Sequence, residues 1–141
     1  MMVVGNAGVG KTTLCQKIGF LKDQPSEEQM RYSNHCHFRA GRDYLILFDL
    51  TSRESFADAE LWFKDIARVA NDVLLVGNKL DLTADRRVSA AEAAALADRL
   101  AVRYVEISAL TGANVDAIMQ RLIYAEKIVI VPPQQRRSAC F

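Results

Sequence analysis

At 141 residues the chain has the length of one domain, and its balance of half hydrophobic and one quarter charged residues argues against a disordered polypeptide. A net charge of +1 argues against nucleic acid as a partner, because broad phosphate binding needs a basic surface. No apolar run is long enough to cross a bilayer, and Met1 leads into a glycine loop too soon for a signal peptide, so the expected location is cytoplasmic.

Val3-Val4 ends a short apolar strand, and Gly5 to Thr12 follows at once. Thr13 to Ile18 reads as a short helix with Gly19 as its stop, and the polar stretch from Lys22 to Gln29, which contains Pro25, reads as loop. Tyr44 to Phe48, Val73 to Val76 and Val102 to Ile107 are apolar runs of strand length without polar alternation, the pattern of parallel strands covered on both faces. Helical patterns lie between and after them. Ser55 to Val69 places Phe56, Ala59, Phe63 and Ile66 on one face; Ser89 to Leu100 opens with a Ser-x-x-Glu capping box at Ser89 and Glu92; Val115 to Ile128 closes the series. Alternating strands and helices predict right-handed βαβ units on a parallel sheet. The stretch from Pro132 to Phe141 reads as a flexible tail, leaving residues 1–131 as the domain.

Gly5 to Thr12 has the form Gly-x-x-x-x-Gly-Lys-Thr. Its glycines let consecutive N–H groups turn inward around phosphate oxygens, so Asn6, Ala7, Gly8, Val9, Gly10, Lys11, Thr12 and Thr13 are candidate nucleotide contacts. Lys11 is placed to reach the β- and γ-phosphates, Thr12 to bind Mg²⁺, and the helix that starts there turns its positive end to the anion. A glycine-rich turn arising by chance is the competing reading, but a strand before and a helix after the loop are the context the motif requires.

Asn78-Lys79-Leu80-Asp81 follows the strand Val73 to Val76, and Ser108-Ala109-Leu110 follows the next. A carboxylate in the plane of a purine can accept from guanine N1–H and its exocyclic amine, a pair of donors that adenine lacks on that edge. Asp81 is the candidate for that role. The Lys79 stem can lie along the ring, Asn78 can tie the loop to its neighbours, and the Ala109 N–H can donate to guanine O6. All these elements sit at the carboxyl edge of the sheet, where open α/β sheets bind ligands.

Together these stretches resemble the Ras-like small GTPases, and Phe48 to Phe56 is similar to the "YDVT…SF" segment frequent in Rabs. The resemblance runs from Val3 to about Lys127 and implies the three-layer P-loop NTPase fold, GTP or GDP with Mg²⁺, and exchange factors, activators and effectors as partners. One departure is Leu110, where the family usually carries Lys.

The middle of the family domain is missing. Phe38 to Gly41 resembles the family's "YRGA" stretch, and counting back from it aligns Asp23-Gln24-Pro25-Ser26-Glu27-Glu28 with the family's Asp-Thr-Ala-Gly-Gln-Glu. On that alignment Asp23 keeps the residue that holds Mg²⁺ through water, Ser26 replaces the glycine that meets the γ-phosphate, and Glu27 replaces the water-orienting glutamine. No room remains for the first switch with its Mg²⁺-binding threonine, for the second strand, or for more than a stub of the third. The family sheet order is 2-3-1-4-5-6, so strands 1-4-5-6 are expected to stay contiguous, with a newly exposed apolar edge on the first strand. Hydrolysis in this class rests on Mg²⁺, water orientation and charge stabilisation, so impaired catalysis is expected.

His35-Cys36-His37 suggests a metal site, but adjacent side chains splay apart and no fourth ligand is evident. Three scattered cysteines, Cys15, Cys36 and Cys140, suit reduced thiols. By resemblance Cys140 is the candidate prenylation site, preceded by Arg136 and Arg137, though the ending is neither a C-a-a-X box nor a cysteine pair. The leading expectation is a Rab-like switch of vesicle trafficking or signalling, peripheral to endomembranes or the plasma membrane. The alternative is a non-enzymatic module that binds guanine nucleotide or occupies partners.

Overall fold

The computed structural model describes residues 1–18, 42–122 and 129–130. In chain order the elements are β1 (Met2–Val4), α1 (Lys11–Lys17), β2 (Arg42–Asp49), α2 (Arg53–Ile66), β3 (Ala70–Asn78), a 3₁₀ turn (Thr83–Asp85), α3 (Ala90–Leu100), β4 (Arg103–Glu106), α4 (Val115–Leu122) and β5 (Val129–Ile130). The strands form one sheet in the order β4-β3-β2-β1-β5, and every pairing is parallel.

Side-chain alternation along the strands divides the core in two. Met2, Val4, Tyr44, Ile46, Phe48, Val73 and Leu75 point to one face, where Ala59, Trp62 and Ile66 of α2 and Ala93, Leu96 and Ala97 of α3 cover them. Val3, Leu45, Leu47, Leu74 and Val76 point to the other, where Leu14 and Cys15 of α1 and Val115 and Ile118 of α4 close the layer. The period of two in the strands thus meets the apolar stripe of a helix on each side, which produces three layers. Each fully buried Leu or Ile in these layers contributes about 1.5–3 kcal/mol relative to exposure.

Local chemistry sets the helix ends. The Ser52 hydroxyl accepts from the Ser55 N–H at 3.2 Å, so α2 starts at Arg53, two residues before the start expected from its apolar face. It ends at Ile66, short of Val69. The capping box expected at Ser89 and Glu92 is formed in both directions, at 3.1 Å and 3.0 Å. Arg53 and the Ser89 N–H hold the Glu92 carboxyl down at about 2, so one side chain caps α3 and ties it to α2. Helix α1 begins at Lys11 rather than Thr13, because Gly10 takes a left-handed conformation (φ 101°) and starts the helix at the next residue.

The closing helix expected from Val115 to Ile128 is described from Val115 to Leu122, and residues 123–128 lie outside the described residues. One expectation for the chain's later part is corrected. The edge of β1 is paired rather than exposed: Val129 and Ile130 align with Met2 and Val3 as β5. An apolar edge of unpaired N–H and C=O groups is costly, and a short β-branched pair satisfies part of it. The expected contiguity of the retained strands holds, since β1-β2-β3-β4 correspond to the family strands 1-4-5-6 in unbroken order.

Candidate functional site

Three loops meet at the carboxyl edge of the sheet, after β1, β3 and β4. Parallel strands in register put all three turns at one end.

The loop after β1 is shaped by its glycines. A Cβ on Gly5 would fall 2.3 Å from the Leu47 carbonyl oxygen, and one on Gly10 would fall 2.2 Å from Asn78 Nδ2. Lys11 Nζ donates to the carbonyls of Gly5 (2.8 Å) and Asn6 (2.7 Å), so the ammonium lies inside the loop's own turn. Burial pushes its pKa from 10.5 down to about 8. Val9 is buried, while Ala7, Gly8, Thr12 and Thr13 are exposed along the mouth.

Asn78 joins the three loops. It is buried (2 % exposed); its Nδ2 donates to the Val9 carbonyl at 2.8 Å, and its Oδ1 accepts from the Ala109 N–H at 2.9 Å. Ser108 is equally buried, and its hydroxyl donates to Asp81 Oδ1 at 2.7 Å while accepting from the Thr111 N–H at 3.1 Å. Asp81 is thereby held by one oxygen on a side chain that is otherwise exposed. Leu110 is 72 % exposed.

Lys79 sits in left-handed backbone (φ 68°), and its Nζ pairs with Asp49 Oδ2 at 2.7 Å. Burial opposes ionisation of Asp49, but hydrogen bonds from Lys79 and from the Thr51 N–H and hydroxyl hold its carboxyl below the usual range. Asn6 faces α2: its Nδ2 donates to Asp58 Oδ2 at 2.7 Å, and its Oδ1 accepts from Trp62 Nε1 at 3.1 Å.

The structure thus brings together Asn6 to Thr13, Asn78, Lys79, Asp81, Ser108, Ala109 and Leu110. Asp23, Glu27, Cys140 and the His35-Cys36-His37 stretch lie outside the described residues. Sequence reasoning missed Asp49, Asp58 and Trp62. Asp49 ends β2 on the same edge as the motifs, which was a usable signal; the contacts of Asp58 and Trp62 depend on how α2 packs and carry no local signature. A separate hollow of about 500 Å³ lies at the opposite end of the sheet, lined by the starts of β3 and β4 and the ends of α2 and α3. None of its lining residues belongs to the three loops.

Comparison with known proteins points the same way. The Ras family model matches residues 21–128, a span that includes both loops of the base side and begins after the loop following β1. Human Rab-27B ("Ras-related protein Rab-27B") is 36% identical over 107 residues, covering 73% of this chain and 49% of that protein. The fission-yeast "GTP-binding protein ypt2" is 35% identical over 97 residues, covering 67% and 48% respectively. Zebrafish "Ras-related protein Rab-4A" is 31% identical over 148 positions, covering 82% of this chain and 70% of that protein. The chain spans about half the length of the first two of these relatives. The Rab-4A alignment is longer than the 141 residues here, so it must leave positions of that relative unmatched. A parallel α/β sheet with these three loops, matched over most of its length by the Ras family model, makes the chain a Rab-like member of the Ras family.

Proposed function

We propose that the chain binds guanine nucleotide through its three loops and works as a Rab-like switch component with impaired GTP hydrolysis. The observation that carries the reading is the Asn78 bridge: one buried carboxamide fixes the phosphate-side carbonyl of Val9 and the Ala109 N–H together. With Ser108 holding Asp81, both ends of a purine nucleotide find prearranged partners. Asp81 would accept from the guanine edge, the Ala109 N–H would reach O6 only by sharing or leaving its bond to Asn78 Oδ1, and Leu110 would lie beside the ring. Lys11 would leave its own loop carbonyls for the phosphates.

The residues fit the phosphates. Gly8 (φ 77°) has open space where a Cβ would stand, so phosphate oxygens can approach the backbone there. They fit Mg²⁺ only in part. Thr12 offers an exposed hydroxyl at the start of α1, and among the described residues no group of three His, Cys, Asp or Glu could hold a metal alone. That suits a cation that arrives with the nucleotide and keeps water and phosphate oxygens as its other ligands. Asp23 is assigned here as a further Mg²⁺ contact through water.

Glu27 in place of the water-orienting glutamine, together with the missing switch threonine, underlies the proposed loss of catalysis. The same substitution favours the second reading, a non-enzymatic module that holds nucleotide and occupies exchange factors or effectors. Vesicle trafficking, a cytosolic membrane face and lipidation at Cys140 come to this chain from the resemblance to Rabs. No described helix is long and apolar enough to cross a membrane.

Isothermal titration with GDP and GTP in the presence of Mg²⁺, with ATP as control, tests the reading. Guanine-selective binding that falls about a hundredfold or more in Asp81→Asn is the expected outcome. Equal affinity for ATP, or binding indifferent to D81N, would refute it. Single-turnover hydrolysis at the rate of an intact family member would refute the impaired-catalysis part alone.

A further inference from the structure

Asn6 and α2 meet through two side-chain hydrogen bonds. Asn6 is the second residue of the glycine loop, and both ends of its carboxamide are engaged by one helix across more than fifty residues of sequence. Asp58 accepts from the amide nitrogen and the indole N–H of Trp62 donates to the amide oxygen, so the two contacts together fix which way the amide faces. Trp62 is 1 % exposed and anchored in the core with Ala59 and Ile66, so this fork moves only if α2 moves. The backbone of the same residue matters as well, because the Asn6 carbonyl is one of the two acceptors that hold Lys11 Nζ.

We infer that Asn6, gripped by Asp58 and Trp62, is a positioning residue that makes α2 part of the phosphate site, setting where the loop and its lysine stand before the nucleotide arrives. This rests on the guanine-nucleotide reading above. The physical basis is preorganisation. A loop already fixed by buried contacts loses less conformational freedom on binding, so affinity depends on groups that never touch the ligand. The helix takes on that task in a chain whose first switch segment is missing. Two charged groups meet Asn6: Asp58 from α2 and Lys11 from α1.

A donor swap provides the test. Asn6→Asp replaces the amide that donates to Asp58 with a carboxylate, placing two like charges at 2.7 Å in a partly buried site. Repulsion between the two carboxylates is fullest where both are ionised and is relieved when they share a proton at lower pH. GDP affinity measured by titration at about pH 8 is expected to fall roughly tenfold to a hundredfold in N6D, and to recover as the pH is lowered to about 5. Adding Asp58→Asn returns an amide donor opposite the new carboxylate, so N6D/D58N is expected to regain most of the affinity and lose the pH dependence. Asp58→Asn made in the wild-type background should change affinity less than it does in N6D, a non-additivity that general loss of negative charge would not produce.

The inference is overturned if N6D, shown by circular dichroism to be folded, binds GDP like wild type with the same pH profile. It is equally overturned if the double variant binds no better than N6D. Where N6D does not fold, Trp62→Phe keeps a buried ring and removes only the indole donor. A severalfold loss of affinity is then expected, and unchanged affinity would overturn the inference. Wild-type protein that binds no GDP refutes the nucleotide reading and this inference with it. Wild-type binding with an indifferent N6D refutes this inference alone.

Discussion

In the loops after β3 and β4, side chains hold side chains and backbone alike: Asn78 and Ser108 are both buried and between them make four hydrogen bonds within the site. The loop after β1 is shaped instead by three left-handed or strained glycines and by a lysine folded onto its own carbonyls, with the Asn6 fork tying it to α2. On the proposed reading Asp81 is held ready by Ser108, whereas Lys11, and the Ala109 N–H that donates to Asn78, exchange partners when a nucleotide binds. The retained strands organise the loops after β3 and β4 by themselves.

The largest expected effect comes from joining the two regimes destructively. Gly10→Ala forces a Cβ into Asn78 Nδ2 and puts a side chain at φ 101°, so it damages the phosphate loop and the base bridge at once. A stability loss of about 2–4 kcal/mol is expected, with no measurable GDP binding, read by urea unfolding and titration. Normal binding in G10A would mean that the bridge does not depend on the loop's geometry.

Proton linkage gives a smaller and sharper contrast. The folded-state pKa of Lys11 lies near 8 and its unfolded value near 10.5, so the unfolded chain binds more protons between those values and the nucleotide-free fold gains stability as pH rises through that window. Phosphate binding requires the charged ammonium. GDP binding at about pH 8 should then take up roughly half a proton, falling towards zero near pH 6, seen as a buffer-dependent enthalpy. A buffer-independent enthalpy at pH 8 would show that Lys11 is already charged in its closed position.

The smallest effect serves as a control away from the motif residues of the three loops. Ser89→Ala removes the N-cap of α3 and should cost about 1 kcal/mol in stability, with GDP affinity unchanged. A matching loss of affinity would mean that α3 is coupled to the site and that the contrast between the loops is too narrow.

Much of this was readable from residue pattern. The apolar runs at Tyr44 to Phe48 and Val73 to Val76 are buried strands, and the capping box of α3 stands where Ser89 and Glu92 put it, because periodicity and caps are local physics. The loops after the strands fall at one edge because parallel topology leaves them nowhere else to go. What sequence did not disclose depends on tertiary approach. The pairing of Lys79 with Asp49 and the grip of α2 on Asn6 join residues about thirty to fifty-six positions apart with no spacing rule between them. The β-branched run Ile128 to Val131 is a strand signal that overlaps the end of the expected helix and the expected domain boundary, and Val129 and Ile130 pair as β5. The beginning of α1 was misplaced by two residues because left-handed Gly10 starts the helix inside the motif.

The position of β1 between β2 and β5 has a consequence for how the chain folds. Met2 pairs with Tyr44 on one side and with Val129 on the other, so the first strand made is completed by partners from the middle and far end of the described chain. Contacts of such long sequence separation form slowly, because loop closure must precede the gain from pairing. On a translating ribosome the residues before the glycine loop wait with an open apolar edge until residue 130 has emerged. During that interval, association with another nascent chain competes with the chain's own β5.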